Sequence, residues 1–305
     1  MPTSHFEVLD KEFQKFVLGT AYLDTLWTGG RWAEGPAYFG GGRYLVFSDI
    51  PNNRMIRYDE TDDSTSVFRA PSNNSNGNTV DREGRLVTCE HLGRRVTRTE
   101  HDGTLTVLAD THEGKRFNSP NDVIVHPDGG IWFTDPTYGI DQNYEGIKAD
   151  SEIGASHVYR IDPQTGETHA VATDFVKPNG LAFTPDYSKL VVVDTGATHV
   201  EDGPRHMRTF NVVDGKRLTG GELLATCTEG LFDGFRFDED GYIWTSAADG
   251  VHCLTPTGEL IGKIRIPEVV ANVCWGDWKR HRLYICGTSS LYATFVRTTG
   301  MPYAR

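Results

Sequence analysis

Apolar positions along the chain come in short runs, each opened by a polar residue and broken by a turn. The clearest copy reads Asn121-Asp122-Val123-Ile124-Val125-His126-Pro127-Asp128-Gly129-Gly130-Ile131-Trp132-Phe133-Thr134-Asp135. A polar start, a β-branched stretch, an Asp-Gly turn and a second aromatic stretch predict a hairpin. The pattern returns at Asn179 and Asp233, at Asn76, and more faintly at Glu34 and Asn272. Starts at 34, 76, 121, 179, 233 and 272 lie between 39 and 58 residues apart, which is the size of a propeller blade.

A third and often a fourth strand follow each hairpin, as in His157–Asp162, the turn Pro163-Gln164-Thr165-Gly166, and His169–Ala172. Four antiparallel strands per unit and six units predict an all-β, six-bladed β-propeller of four-stranded antiparallel blades. No linker-like stretch divides the chain, so residues 1–305 are expected to form a single propeller domain. Residues 1–26 are expected to be an N-terminal extension or a segment that closes the ring. The long interval after Asn121 holds Tyr138 to Ile153, polar and Gly-bearing, which reads as an inserted surface loop.

Charge narrows the partners. With 30 Lys+Arg against 42 Asp+Glu the formal net charge is −12, and the basic residues are interspersed. That argues against nucleic acid and against an anionic membrane surface, and no apolar run approaches the length of a spanning helix. Five widely spaced cysteines without a C-x-x-C pair are expected to be reduced, buried thiols. The absence of a targeting segment favours the cytoplasm, or the periplasm if a signal peptide has been removed. A closed propeller has few exposed edges, so a monomer or weak homo-oligomer is expected.

Inner propeller strands begin at one face beside the central channel, so the first polar residue of each repeat arrives at the same place. Six converge: Glu34, Asn76, Asn121, Asn179, Asp233 and Asn272. Asn and Asp commonly cap turns, but capping explains residue type and not recurrence at one radial position, and Glu34 is poorly explained by it. Two carboxylates and four amides, without thiol or imidazole, suit a hard cation, above all Ca²⁺. Asp135, Asp194 and Asp249 close second strands and read as ladder-end acids, while Trp132, Trp244 and Trp275 read as packing between blades. Signatures of serine hydrolases, zinc proteases and phosphate-binding loops are absent.

Glu34-Gly35-Pro36, Ser119-Pro120-Asn121-Asp122, Pro178-Asn179-Gly180-Leu181 and Phe232-Asp233-Gly234 resemble signature segments of the gluconolactonase and SMP-30 (regucalcin) family of six-bladed propellers. The resemblance runs from about Trp32 to Tyr292. Cys89-Glu90-His91, Arg94-Arg95-Val96 and Arg116-Phe117-Asn118 resemble its bacterial gluconolactonase branch in particular. It implies one divalent cation held by Glu34, Asn121, Asn179 and Asp233, with Ca²⁺ preferred and Zn²⁺, Mg²⁺ and Mn²⁺ as alternatives. That leaves Asn76 and Asn272 for the substrate or for a water behind the ligands, and Tyr138 is expected to reach the substrate from the inserted loop.

The implied activity is hydrolysis of a sugar lactone, D-glucono-1,5-lactone first among them. Asp233 is the expected base and His91 an alternative proton carrier, set against a purely structural histidine. Rival readings keep the site for another aldonolactone or a phosphotriester, or make the chain a non-catalytic calcium-binding propeller.

Overall fold

The computed structural model describes residues 5–302. Six antiparallel sheets form the blades of a propeller, each with an inner strand that contains the polar start residue of its repeat or follows it by two residues. The first comprises Ala33–Phe39, Tyr44–Asp49, Arg54–Asp59 and Ser64–Arg69, and the second runs from Ser75–Val80 out to Leu105–Ala109. The third and fourth begin with Val123–Val125 and Pro178–Phe183, and the fifth and sixth with Phe235–Phe237 and Val270–Gly276.

The N-terminal segment serves two sheets. Phe6–Val8 adds a fifth strand outside Leu260–Arg265 in the fifth blade, and Asp24–Thr28 supplies the outer strand of the sixth by pairing with Ser290–Phe295. First and last portions of the chain thus share one sheet, which ties the ring shut. Between the two strands, the 3₁₀ turn Lys11–Phe16 opens with Asp10 accepting from Glu12 N and buries Phe13 and Phe16 against Trp244.

Apolar side chains collect in six clusters, one between each pair of neighbouring blades. Trp132, Trp244 and Trp275 lie inside them as the sequence predicts, and Trp244 meets Trp275 edge-on at 5.6 Å. All five cysteines are free and buried. Because hydrophobic burial is satisfied between blades, the axis is left to polar groups.

The ladder-end acids pin the approach to the inner strands. Asp135 accepts from Asn118 N and Ser119 N, and Asp194 from Val176 N and Lys177 N, each at 2.8–2.9 Å. Asp249 differs, pairing with His252 and Lys263 at the side of its blade.

Packing at the axis is closer than the repeat pattern alone suggests. A Cβ on Gly35 would stand 2.1 Å from the Asn76 carbonyl oxygen, one on Gly77 2.4 Å from that of Asn121, and one on Gly180 2.1 Å from that of Asp233. Each of these glycines follows a site residue, and each touches the site residue of the next blade. Gly180→Ala is therefore expected to cost about 1–3 kcal/mol through overpacking. Gly41→Ala, where the new methyl meets nothing within 4 Å, is expected to stay within about 0.5 kcal/mol. Denaturant unfolding of the two variants checks the contrast.

Candidate metal and substrate site

Four inner strands carry a register shift at or beside their site residue: between Glu34 and Ala37, Ser75 and Asn78, Pro178 and Leu181, and Val270 and Asn272. A bulge re-aims a side chain that a regular pleat would direct into a sheet face. Hydroxyls then hold the backbone, from the adjoining blade for Asn76 and Asn179 and from within the same blade for Asp233. Ser48 Oγ donates to Asn76 O at 2.7 Å, Thr134 Oγ1 donates to Asn179 O at 2.8 Å, and Asp233 N donates to Ser246 Oγ at 2.8 Å.

Glu34, Asn76, Asn121, Asn179 and Asp233 consequently line one cavity of about 260 Å³. Asn272 belongs to the ring but not to the cavity wall. Its Nδ2 donates to Glu34 Oε2 at 2.9 Å and its Oδ1 accepts from Val273 N, so it orients the carboxylate from behind. His91 is also withdrawn, with Nε2 3.1 Å from Asn76 Nδ2 and Nδ1 3.6 Å from Glu145 Oε2. Burial pushes its imidazole down to about 4, so it is neutral at pH 7.

Tyr138 does reach the cavity, with its hydroxyl 2.6 Å from Thr195 Oγ1 and 2.8 Å from Thr198 Oγ1. The insertion that carries it is more than a surface loop. It begins with the short helix Tyr138–Asp141, buries Ile140 and brings Glu145 into the cavity wall. The sequence reading missed Glu145, because a lone acid in an insertion occupies no repeat position. It also missed Thr195, Thr198 and the apolar wall of Trp32, Leu231, Val269 and Val270.

Electrostatics at the floor are unfavourable for an isolated protein. Glu34 is 4% exposed, and burial, reinforced by the nearby Asp122 carboxylate, pushes it up to about 8. Burial and then the charge of Glu34 raise Asp233 well above the usual carboxylate range. Asn76 Oδ1 is buried without a hydrogen-bond partner. Among the described residues no group of three or more His, Cys, Asp or Glu is arranged to hold a metal ion, so any cation here would draw on amide oxygens as well. Two buried carboxylates, an orphaned amide oxygen and further amides fit a hard divalent ion, which would repay the desolvation of those groups.

The architecture and the oxygen-lined axial cavity define a six-bladed propeller with one central site. Residues 32–289 match the model of the SMP-30/gluconolactonase/LRE-like region, and the chain belongs to that family. Among its relatives, the gluconolactonase of Zymomonas mobilis is 29% identical over 88% of this chain and 80% of its own length. The pentonolactonase of Haloferax volcanii is 28% identical over 84% of this chain and 81% of its own. The solved gluconolactonase of Xanthomonas campestris superposes with a TM-score of 0.89 at 36% identity, covering 95% of this chain and 94% of that one. No helix among the described residues is long and apolar enough to cross a membrane.

The raised Glu34 carboxyl yields a pH signature. Its folded value of about 8 lies above its ordinary value of 4.5, so over that window the unfolded chain gives up a proton that the fold retains. The contribution of Glu34 to the stability of the chelator-treated protein should therefore be full below about 4.5 and be lost as pH rises towards 8, whereas His91, held at about 4 against an ordinary 6.5, contributes the opposite slope between those two values. Glu34→Gln should remove the Glu34 contribution, seen as a parent-minus-variant difference that shrinks as pH rises, and a saturating divalent cation should do the same. Melting temperatures measured across pH with and without chelator test this.

Proposed function

We infer that the chain is a lactone hydrolase that opens a sugar lactone, D-glucono-1,5-lactone in the first instance, to its aldonic acid. The observation that carries this reading is the pair of buried carboxylates, Glu34 and Asp233, set among amide oxygens at the floor of a cavity fit for one small ring. The lactone-opening relatives support the same reaction class. Glu34, Asn121, Asn179 and Asp233 would hold a divalent cation, for which the oxygen donors favour Ca²⁺.

Bound there, the ion supplies Lewis-acid polarisation of the lactone carbonyl. Asp233 accepts a proton from the attacking water as the new C–O bond forms, and returns it to the ring oxygen as the ring C–O bond breaks. Its advantage is position, because a carboxylate next to a cation is a weak base. Asn76 lines the cavity and His91 Nε2 lies 3.1 Å from its Nδ2, so the imidazole acts through Asn76. Asn272 does the same for Glu34. Tyr138, Thr195 and Thr198 offer hydroxyls to those of the substrate, and Trp32, Leu231, Val269 and Val270 exclude water from the opposite side. Five free, buried thiols accord with a reducing compartment, and on that ground we place the protein in the cytoplasm.

Purified protein should open gluconolactone in a pH-stat assay, lose that activity in chelator, and regain it with Ca²⁺. Asp233→Asn and Glu34→Gln should each lower kcat/KM by about 100-fold or more. Activity indifferent to chelator, or intact in either variant, would remove the assignment.

A further inference from the structure

The helix Tyr138–Asp141 at the head of the insertion has a single turn, too short to hold itself together in water. Its N-cap residue Thr137 makes no capping hydrogen bond through its side chain. What fixes the turn comes from the fourth blade. Lys177, just before the inner strand Pro178–Phe183 and only 6% exposed, sends its ammonium across the blade boundary to donate to Thr137 Oγ1 and Asp141 Oδ2. The same nitrogen lies 4.6 Å from the centre of the Tyr138 ring, within cation–π range. One side chain thus gathers the residue before the helix, its first residue and its last.

The backbone of Lys177 serves the same end. Its N donates to Asp194 Oδ1 at 2.9 Å, and its carbonyl accepts from Thr195 N at 3.0 Å and from Thr195 Oγ1 at 3.1 Å. With its own proton committed to that carbonyl, Thr195 Oγ1 is the acceptor in its 2.6 Å contact with the Tyr138 hydroxyl. The tyrosyl oxygen, in the cavity wall, therefore keeps lone pairs for a donor in the cavity. Lys177 lies outside that wall but holds both members of the pair, Thr195 through its carbonyl and Tyr138 through its ammonium.

We propose that Lys177 is a positioning residue which, through Asp141 and Thr195, orients the Tyr138 oxygen to accept a hydrogen bond from a hydroxyl of the sugar lactone. The proposal rests on the sugar-lactone reading of the site given above. Lys177 has no contact with the reacting carbonyl, so its effect falls on how tightly the substrate is held more than on the chemical step. The insertion also has a separate hold on the third blade, where Gly139 N donates to Ser119 Oγ at 2.9 Å and Ile140 is buried. Loss of the Lys177 contacts should accordingly misplace Tyr138 without releasing the whole segment.

The test is steady-state kinetics of the full chain on D-glucono-1,5-lactone with Ca²⁺ present throughout. Tyr138→Phe, which removes the accepting oxygen, should raise KM about five- to tenfold and lower kcat by a smaller factor. Lys177→Met should raise KM by a similar factor. So should Asp141→Ala, which breaks the clamp on the insertion and leaves the fourth-blade strand untouched. In the double variant Lys177→Met/Tyr138→Phe no oxygen is left to orient, so KM should stay within about twofold of Tyr138→Phe alone, whereas independent effects would multiply to about 25-fold or more.

A KM unmoved in Lys177→Met or in Tyr138→Phe overturns the proposal. So do effects that multiply in the double variant, or a loss carried by kcat alone, since either would mean that Lys177 does not act through the tyrosyl oxygen. If Lys177→Met does not fold, Asp141→Ala combined with Tyr138→Phe carries the same decision. A parent chain that does not open the lactone overturns the sugar-lactone reading and this proposal with it, an outcome distinct from an active parent whose KM the variants leave in place.

Discussion

Everything at the functional end of this molecule depends on how closely its inner strands approach the axis. Side chains of ordinary size on adjacent strands would hold the blades apart and scatter the site residues around a wide channel. Glycine immediately after Glu34, Asn76, Asn179 and Asp233 removes that obstacle, so that the backbone of one blade lies against the site residue of the next. Gly77 N even donates to Asn121 O at 2.7 Å across the blade boundary. The donors of the site are thus positioned by backbone contact, a stiffer support than side-chain packing.

Such closeness has an electrostatic consequence. Bringing Glu34 and Asp233 into one water-poor floor raises the free energy of both ionised carboxylates, and Asp122 adds a third acid beneath them. The fold tolerates this because its hydrophobic stabilisation is generated elsewhere, in the six clusters between blades. Concentrated negative charge at the axis and apolar packing at the flanks are therefore complementary, one serving ligand binding and the other stability.

Much of this was legible from the repeat. The offset from a polar start through an Asp-Gly turn to an aromatic strand placed the blades, and residue type at the starts pointed to oxygen ligation. Family segments narrowed the donors to Glu34, Asn121, Asn179 and Asp233. The wall of the cavity was not legible in the same way. Glu145, Thr195 and Thr198 belong to connections whose sequences follow no period, and a hydroxyl or acid there looks like any solvated surface residue.

Sequence by itself determined the number of blades, the strands that build them and the residue types delivered to the axis, because those are local properties of pattern and turn chemistry. Tertiary structure alone decided which delivered residues face the cavity. Asn76 and Tyr138 do, whereas Asn272 is turned to brace Glu34 and His91 stands behind Asn76. Those distinctions arise from bulges, from hydroxyls of the next blade and from the path of one insertion, all of which join residues far apart in the chain. The opening pattern of polar starts thus specifies a ring of six candidates, and contact between blades divides them into groups that meet a ligand and groups that hold the first in place.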